Sequence, residues 1–340
     1  GDDYVAARFL RRRGVAVEVR ALAFPKGEHS PARRAATAAV AAGVPVRPLG
    51  DLEPCDLLID GLFGAGFRGE LKDPAAAWTA HPAPVLAIDL PSGLSGADGS
   101  VRGPAFCARR TVTFHALKVG HLLGEGPDRC GEIEVVDIGL QGGEPALRLC
   151  EAVDAPAPSR PRTAHKWSAG AVLVVGGSPG IAGAAALAGR AALHFGAGYV
   201  RVACPGALQP SLASADPSLT TVAIGSGQRF GTTSAPAVLA AGERFDVMAL
   251  GPGLGSGREG FVQALLEQWD RPLVLDADAI AAAGLEALTA RRHPTVITPH
   301  AGEFHRLTGE DAGYRQAAEL AVRTGAVVLL KGDPTVIAGE

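Results

Sequence analysis

The sequence has few aromatic residues, few cysteines and little net charge, and each absence excludes a class of protein. Aromatic residues make up 5% of the 340 residues, so the cores must consist mainly of Ala, Val and Leu. The five cysteines form no C-x-x-C pair, which argues against a disulfide framework or a zinc site and is typical of reduced cytosolic thiols. A net charge of −3 argues against a nucleic-acid or membrane-surface partner.

Other missing patterns narrow the function further. No uninterrupted apolar run is long enough to span a bilayer, so we expect no membrane partner. The motif H-E-x-x-H is absent, so a zinc protease lacks support. The sequence begins at Gly1 without a methionine. We therefore expect the true N-terminus to lie upstream, and a targeting segment stays open.

What is present is a regular alternation of apolar strands and alanine-rich helices. Such alternation predicts βαβ units around parallel sheets, hence the α/β fold class. In the first half we predict helices at 4–13 and 31–42 and strands at 15–19, 57–60, 85–89, 111–114 and 133–137. In the second half we predict helices at 182–195, 235–242, 260–269 and 314–324 and strands at 171–175, 199–203, 220–224, 247–250, 273–275, 295–297, 327–330 and 335–338.

A proline-rich segment separates the two halves. The sequence of residues 155–162, Ala-Pro-Ala-Pro-Ser-Arg-Pro-Arg, is incompatible with a helix and is typical of a linker. A chain of this length also predicts about two domains. We therefore predict two α/β domains at 1–150 and 165–340, joined by a linker at 151–164.

In the first domain, two aspartates end apolar strands, at the sheet edge where α/β proteins bind ligands. Asp60 precedes the glycine-rich turn 64–70, and Asp89 precedes Leu90-Pro91-Ser92. The turn can bring backbone N–H groups to a phosphate, and a carboxylate can bind a cation or act as a general base. Lys118 can pair with an acid or a phosphate. The alternative is that these residues only cap strands or lie on the surface.

In the second domain, polar residues again follow strands. Residues 176–185 join a strand to a helix whose N-terminus attracts anions. Asp276 and Asp278 can meet a metal or a substrate hydroxyl, although Asp278 can equally be a helix N-cap. His300 and Glu303 suit a ligand site or, alternatively, the capped start of a helix at Ala301. The Lys331-Gly332 turn suits a nucleotide phosphate or base pocket.

Motifs of these kinds occur together, in one order, along nearly the whole chain. The first domain contains Gly1-Asp2, the 60–70 turn, Ile88-Asp89-Leu90-Pro91-Ser92-Gly93 and Thr113-Phe114-His115-Ala116-Leu117-Lys118. The second contains His165-Lys166, Gly176-Gly177-Ser178, Gly251-Pro252-Gly253-Leu254-Gly255, Leu275-Asp276-Ala277-Asp278-Ala279, Thr298-Pro299-His300-Ala301-Gly302-Glu303 and Lys331-Gly332-x-x-Thr335. In this order and spacing, the chain resembles the bifunctional NAD(P)H-hydrate repair enzymes, in which an NAD(P)HX epimerase domain is fused to an ADP-dependent NAD(P)HX dehydratase domain.

The resemblance implies repair of nicotinamide cofactors that have added water across a ring double bond. The first domain would interconvert the R and S hydrates, and the second would phosphorylate the S hydrate from ADP and eliminate phosphate to restore NAD(P)H. It implies a Rossmann-like three-layer sandwich followed by a ribokinase-like α/β domain. The implied cofactors are K⁺ for the epimerase and ADP or ATP with Mg²⁺ for the dehydratase, and the implied substrate is NAD(P)HX.

The resemblance also implies roles for individual residues. Asp60 and Ser92 correspond to potassium ligands, and Asp89 corresponds to a substrate contact. We further hypothesise that Asp89 is the general acid/base and that Lys118 tunes it. The residues that correspond to substrate contacts in the phosphate-binding turn are Gly64, Ala65, Gly66, Phe67, Arg68, Gly69 and Glu70. In the second domain Ala184, Gly253 and His300 correspond to substrate contacts, and Lys331, Gly332, Asp333, Pro334 and Thr335 to nucleotide contacts.

The sequence departs from the family pattern at both ends. The family's Asn-Asn-Gly-Gly-Asp-Gly loop would begin before Gly1, and Asp3 replaces its last glycine. The dehydratase loop Gly-x-Gly-Asp, with its catalytic aspartate, would lie beyond Glu340, so the second domain is expected to be incomplete. We therefore expect these 340 residues alone to lack dehydratase activity, having lost the base and the anion hole.

Two alternatives stay open from the sequence. One is an ATP-dependent sugar or vitamin kinase with an accessory nucleotide-binding domain, and the other is a non-catalytic cofactor-binding module. Phosphorylation of a pyrimidine or thiazole alcohol would favour the first, and binding without turnover would favour the second. One fused chain is the bacterial arrangement, so we expect a cytoplasmic protein, and we also expect a homo-oligomer.

Overall fold

The computed structural model describes residues 1–27, 29–51, 53–145, 147–156, 159 and 161–339. These residues form two compact units, Gly1–Leu149 and Cys150–Glu340. Of the predicted linker, residues 157, 158 and 160 lie outside the described residues. The predicted α/β class is confirmed, because each unit combines helices with a mainly parallel sheet.

Unit 1 contains six short parallel strands in two sheets. Its strands are β1 (Val19–Ala21), β2 (Val46–Pro48), β3 (Leu58–Asp60), β4 (Val85–Ile88), β5 (Arg110–Phe114) and β6 (Glu132–Val136). Its helices are α1 (Asp2–Arg12), α2 (Pro31–Ala41), α3 (Ala75–Trp78), α4 (Val119–Leu122) and α5 (Gly126–Arg129). Strands β1 and β2 pair only with each other, whereas β3 to β6 form a sheet in sequence order. This order brings the carboxyl ends of β3, β4 and β5 side by side.

Unit 2 contains one sheet of eight strands in the order β14-β13-β12-β11-β10-β7-β8-β9. Its strands are β7 (Ala171–Val175), β8 (Tyr199–Pro205), β9 (Thr220–Ile224), β10 (Val247–Leu250), β11 (Leu273–Leu275), β12 (Thr295–Ile297), β13 (Val327–Leu330) and β14 (Val336–Ala338). Its helices are α6 (Gly183–Phe195), α7 (Gln209–Ala215), α8 (Ala235–Ala241), α9 (Glu259–Gln268), α10 (Asp278–Ala290), α11 (Ala301–Thr308) and α12 (Tyr314–Thr324), with short 3₁₀ turns at Gly206–Leu208 and Thr232–Ser234. All neighbouring strands are parallel except β13 and β14.

Unit 2 has two core clusters: a smaller one around β7, α6 and β8, and a larger one on one face of the central strands. Leu250, Leu275 and Ile297 are fully buried there and pack with residues of α8 to α12. The row of side chains on the other face, Ala249, Val274 and Val296, is half-buried. Parallel strands are usually apolar on both faces, as these are. The arrangement leaves the carboxyl ends of β10 to β13 along one edge.

None of the described helices combines the length and apolar character needed to cross a bilayer. Among the described residues all five cysteines are free; Cys130 and Cys204 are buried and the other three are exposed. The absence of a disulfide between these residues agrees with the scattered cysteine spacing in the sequence.

Candidate functional site

The first candidate site is an acid–lysine pair at the carboxyl edge of the unit 1 sheet. Asp89 follows β4 directly and has a φ of 70°, in the left-handed region that non-glycine residues seldom adopt. The Lys118 Nζ atom lies 2.7 Å from Asp89 Oδ1. Thr113 Oγ1 donates to the same oxygen at 3.0 Å, and the backbone N–H of Ala65 donates to Oδ2 at 2.8 Å. Three separate segments therefore hold one carboxylate.

These contacts determine the charge of Asp89. Partial burial alone would raise the pKa of this carboxyl, but the hydrogen bonds from Lys118, Ala65 and Thr113 and the charge of Lys118 outweigh burial and lower the pKa below its usual value. Asp89 is therefore ionised at neutral pH. A carboxylate in this state can accept a proton.

The ammonium group of Lys118 is fully engaged. Besides Asp89, it contacts Thr113 Oγ1 at 2.7 Å and the carbonyl oxygen of Phe114 at 3.0 Å. An ammonium has three N–H donors, and here each has an acceptor. Lys118 therefore has a fixed position beside Asp89.

A cavity of about 430 Å³ adjoins this pair. Its lining includes Gly64, Asp89 and Lys118, which the sequence predicted for the site. Asp2, Asp3 and Gly61 also line it, and they were not predicted as site residues. The remaining lining residues are Gly1, Leu62, Phe63, Ile88, Phe114, Ile138 and Leu140. The cavity thus combines apolar walls with a few charged groups, as small-molecule sites commonly do.

Asp60 and Ser92 meet deeper in unit 1. Asp60, 1% exposed, accepts the N–H of Ser92 at 2.6 Å and the Ser92 hydroxyl at 2.6 Å on its other oxygen. Burial raises the pKa of Asp60 to about 6, although the hydrogen bonds from Ser92 and Leu62 oppose the rise. Within the described residues, no basic side chain forms an ion pair with Asp60. A buried carboxylate beside a hydroxyl oxygen is chemically suited to a hard cation.

The predicted phosphate turn is divided between several environments. Gly64 approaches Asp89 so closely that a Cβ atom there would lie 2.6 Å from Asp89 Oδ2. Phe67 is buried and its ring lies 5.0 Å from that of Phe63. Arg68 donates to the carbonyl oxygens of Ala65 and Phe67 at 3.1 and 2.7 Å. The guanidinium therefore folds back on its own turn in this structure.

The second candidate site is another acid–lysine pair, at the carboxyl edge of the unit 2 sheet. Lys331 Nζ contacts Asp276 Oδ1 at 2.8 Å and lies 3.6 Å from Glu303 Oε2. Thr298 Oγ1 donates to Asp276 Oδ1 at 2.8 Å. Partial burial would raise the pKa of Asp276, but the hydrogen bonds from Lys331 and Thr298 lower it. Asp276, which follows β11, is therefore also ionised at neutral pH.

His300 caps helix α11. Its Nδ1 atom accepts the N–H groups of Gly302 and Glu303 at 3.0 and 3.3 Å, and Glu303 accepts the N–H of His300 at 2.9 Å. This reciprocal capping box is what the alternative interpretation of the sequence predicted. His300 also forms a parallel bridge with Lys331. His300 therefore caps α11 from a position beside Lys331, inside the predicted site. Its side chain is 54% exposed and so remains accessible to a ligand.

The other predicted residues of unit 2 lie at the same sheet edge. Gly253, with a φ of 65°, packs against the start of α6: a Cβ on it would lie 3.2 Å from the Ala184 Cβ. Asp278 is the first residue of α10, not its N-cap, and accepts the N–H of Gly255 at 3.1 Å. Gly332, Asp333, Pro334 and Thr335 connect β13 to β14, and Thr335 Oγ1 donates to the Gly332 carbonyl at 3.1 Å.

A larger cavity, of about 790 Å³, lies elsewhere in unit 2. It is lined by residues of α9 and α10 and of the segments 269–270 before β11 and 291–293 before β12, at the amino ends of these strands. We place the candidate site at the opposite, carboxyl edge despite the greater volume of this cavity. Ligands of open α/β sheets bind at the carboxyl edge, and both acid–lysine pairs lie there.

Sequence reasoning missed three side chains that complete these sites: Thr113, His121 and Thr298. Each threonine lies in or directly after a strand and donates to the acid of the neighbouring strand. His121 follows Lys118, the N-cap of α4, by three residues, the spacing at which an N3 side chain reaches the backbone N–H of the N-cap. That spacing was a usable signal.

Comparison with known proteins gives consistent matches over both units. A family model described as "YjeF-related protein N-terminus" matches residues 1–120, and one described as "NAD(P)H-hydrate dehydratase" matches residues 172–340. The chain is 40% identical over 329 residues to the bifunctional NAD(P)H-hydrate repair enzyme Nnr of Salinibacter ruber, covering 89% of this chain and 59% of that protein. It is 38% identical to the Nnr of Moorella thermoacetica, covering 99% of this chain and 70% of that protein.

A solved structure is also similar to part of this chain. It is the ADP/ATP-dependent NAD(P)H-hydrate dehydratase from Bacillus subtilis, co-crystallised with ATP/Mg²⁺, at 31% identity and a TM-score of 0.45. The match covers 54% of this chain and 65% of that one.

Proposed function

The chain belongs to the bifunctional NAD(P)H-hydrate repair enzymes, and from this membership we propose that it repairs hydrated nicotinamide cofactors. Unit 1 epimerises the R and S forms of NAD(P)HX. Unit 2 takes part in the ADP-dependent dehydration of the S form to NAD(P)H. The single observation that supports this proposal best is the ionised Asp89 beside Lys118 at the wall of a 430 Å³ cavity.

In unit 1, Asp89 is the proton acceptor and donor. Its Oδ2 atom accepts one backbone N–H, from Ala65, and a carboxylate oxygen has a second lone pair for substrate. Lys118 keeps the carboxylate ionised and fixed, so the acid is ready to take a proton when the hydrate enters the cavity. A positioned group of this kind typically accelerates a reaction by about 10²–10⁴-fold.

Asp60 and Ser92 would hold the potassium ion. Their oxygen donors and the buried, unpaired charge of Asp60 fit a monovalent cation. When bound, the ion would supply positive charge that offsets the cost of keeping this carboxylate ionised in the interior. Ser92 also contacts the start of the glycine-rich turn 64–70, because its Oγ accepts the N–H of Phe63, the residue before that turn, at 3.0 Å.

In unit 2, the segment 331–335 contributes to nucleotide binding, and Ala184, Gly253 and His300 contribute to hydrate binding. Lys331 supplies a cation for a phosphate, and Gly332 leaves room for close approach. Mg²⁺ would arrive with the nucleotide phosphates, its usual ligands in such sites. Transfer of a phosphoryl group from ADP to the hydrate hydroxyl leaves AMP and releases the hydroxyl proton. Loss of phosphate together with a proton from the adjacent ring carbon then restores the ring double bond.

The decisive experiment replaces Asp89. Asp89→Asn keeps the side-chain shape and removes the base, so epimerisation should fall by about 10³-fold. The assay depletes the S hydrate and follows its reappearance from the R hydrate by chromatography. Asp276→Asn, which removes the equivalent acid of unit 2, is the matched control and should leave epimerisation unchanged. Retained epimerisation by a folded Asp89→Asn protein would refute the assignment.

Three further expectations stay predictions: homo-oligomerisation, a cytoplasmic location and the lack of dehydratase activity in these 340 residues. The matches give the last one no support. It is tested directly by incubating the protein with S-NADHX, ADP and Mg²⁺ and following NADH formation. The size of the assembly is tested by light scattering.

A further inference from the structure

His121 is a fully buried histidine that joins the two residues proposed to carry epimerisation. It lies in the short helix α4 and is 0% exposed. Its Nε2 atom lies 2.7 Å from the backbone carbonyl oxygen of Asp89. Its Nδ1 atom accepts the backbone N–H of Lys118 at 2.9 Å. One imidazole ring therefore connects the main chains of the acid and its lysine.

The contacts determine the state of the ring. Because Nδ1 accepts a hydrogen bond from an N–H group, the proton of the neutral ring must be on Nε2, which donates to Asp89. Burial lowers the pKa of His121, and the nearby charge of Lys118 lowers it further. Both ring nitrogens are thus in use, and the ring is neutral.

The carbonyl that His121 holds belongs to a strained residue. Asp89 has a φ of 70°, in the left-handed region that favours glycine and that other residues seldom adopt. Its own N–H is fixed by the carbonyl of Val112 at 2.8 Å. His121 supplies the matching restraint on the carbonyl side. Without it, we expect the Asp89 backbone to relax and its carboxylate to shift relative to Lys118.

We propose that His121 is a positioning residue: its neutral ring fixes Asp89 and Lys118 in the relative geometry that epimerisation needs. This inference rests on the proposed function of unit 1. The proposed role differs from that of a buried histidine that contributes only to folding stability. Replacing a positioning residue changes the turnover rate of the folded protein, whereas replacing a purely structural residue changes only the fraction of protein that is folded.

Two substitutions separate these roles. His121→Phe fills the space but makes neither hydrogen bond, and we expect kcat for epimerisation to fall by about 10–100-fold with little change in KM, since a shift of about 1 Å in a reacting group can cost 10²-fold. His121→Gln has an amide that can donate to Asp89 and accept from Lys118, so it should recover part of the rate. His115 is an exposed histidine of the same segment. His115→Gln is therefore the matched control and should behave as wild type.

A second readout does not depend on activity. Nitrogen-15 NMR of the wild-type protein should find His121 as the neutral Nε2–H tautomer. Carbon-13 NMR should find that the pKa of Asp89 rises toward its ordinary value in His121→Phe. If wild type has the Nε2–H tautomer and the Asp89 pKa rises in His121→Phe, but wild type does not epimerise, the proposed function is refuted while the restraint of His121 on Asp89 is retained. Three results would overturn the positioning role of His121. They are a wild-type kcat in His121→Phe, an Nδ1–H tautomer in wild type, and an Asp89 pKa that does not change in His121→Phe.

Discussion

The two units contain the same small arrangement at the carboxyl edges of their sheets. In unit 1, Asp89 pairs with Lys118 at 2.7 Å and accepts a hydrogen bond from Thr113. In unit 2, Asp276 pairs with Lys331 at 2.8 Å and accepts one from Thr298. Both acids have a lowered pKa, for the same reasons. Local chemistry alone therefore does not distinguish the sites.

What differs is how firmly each lysine is held. Lys118 has an acceptor for each of its three N–H groups and is 23% exposed. The Lys331 side chain is 40% exposed, and among the described residues its ammonium donates one hydrogen bond and faces two acids, Asp276 and Glu303. A lysine with unused donors can turn toward an incoming phosphate, whereas a saturated lysine can only orient its acid. The same pair thus suits proton transfer in unit 1 and anion binding in unit 2.

Asp60, the acid without a lysine, offers the first way to sharpen this comparison. Its pKa is raised to about 6, so its stabilising contribution is complete below pH 4 and is lost as the pH rises through 6. Asp89 and Asp276, with lowered pKa values, contribute above pH 4 and lose that contribution as the pH falls through their folded pKa. In potassium-free buffer, the free energy of unfolding of wild type relative to Asp60→Asn should fall by about 2 kcal/mol between pH 4 and pH 7.

Potassium provides the control for this experiment. A cation bound at Asp60 favours the ionised carboxylate, so added KCl should flatten the slope, whereas the same concentration of tetramethylammonium chloride should not. Urea titrations at several pH values measure both effects. Equal slopes in the two salts would contradict the assignment of Asp60 and Ser92 as potassium ligands.

The second prediction disturbs the firmly held pair through its neighbour. Gly64→Ala places a methyl group 2.6 Å from Asp89 Oδ2, so the carboxylate must move away from Ala65 and Lys118. We expect epimerisation to slow by about 100-fold. Gly66→Ala in the same turn meets nothing within 4 Å and is the matched control. Equal losses in the two variants would indicate that the turn acts through substrate contact and not through Asp89.

The third prediction concerns the loosely held pair. Lys331→Met removes the charge and keeps the length, and we expect the Kd for ADP or ATP to rise by about 10-fold, measured by calorimetry at low salt, because one exposed phosphate contact is lost. Epimerisation should not change. Lys331→Arg should keep most of the affinity. Wild-type nucleotide affinity in Lys331→Met would remove this lysine from the nucleotide site.

Much of the fold and part of the candidate sites could be predicted from the sequence. The strands at 171–175, 220–224, 247–250 and 327–330 have the predicted bounds, because short apolar or β-branched runs ended by glycine or lysine leave little freedom. The strand ends also identified Asp89, Lys331 and His300. Helix α10 was not predicted because Gly284, with a φ of 71°, interrupts its periodic pattern. The role of Thr113 depends on a contact with Asp89, 24 residues away, which spacing along the chain does not report.

Sequence reasoning also left two roles open for His300, and the last and smallest prediction separates them. His300→Ala removes the N-cap of α11 and should cost about 1 kcal/mol of unfolding free energy, measured by urea titration. His300→Asn keeps a capping acceptor, since asparagine is among the preferred N-cap residues, and should retain most of that stability. If His300 also contacts the hydrate, both variants lose affinity for S-NADHX, whereas a residue that only caps gives normal affinity in His300→Asn. The second outcome would make the two halves of the comparison more alike, because a histidine in each unit would then act by holding the backbone beside an acid–lysine pair.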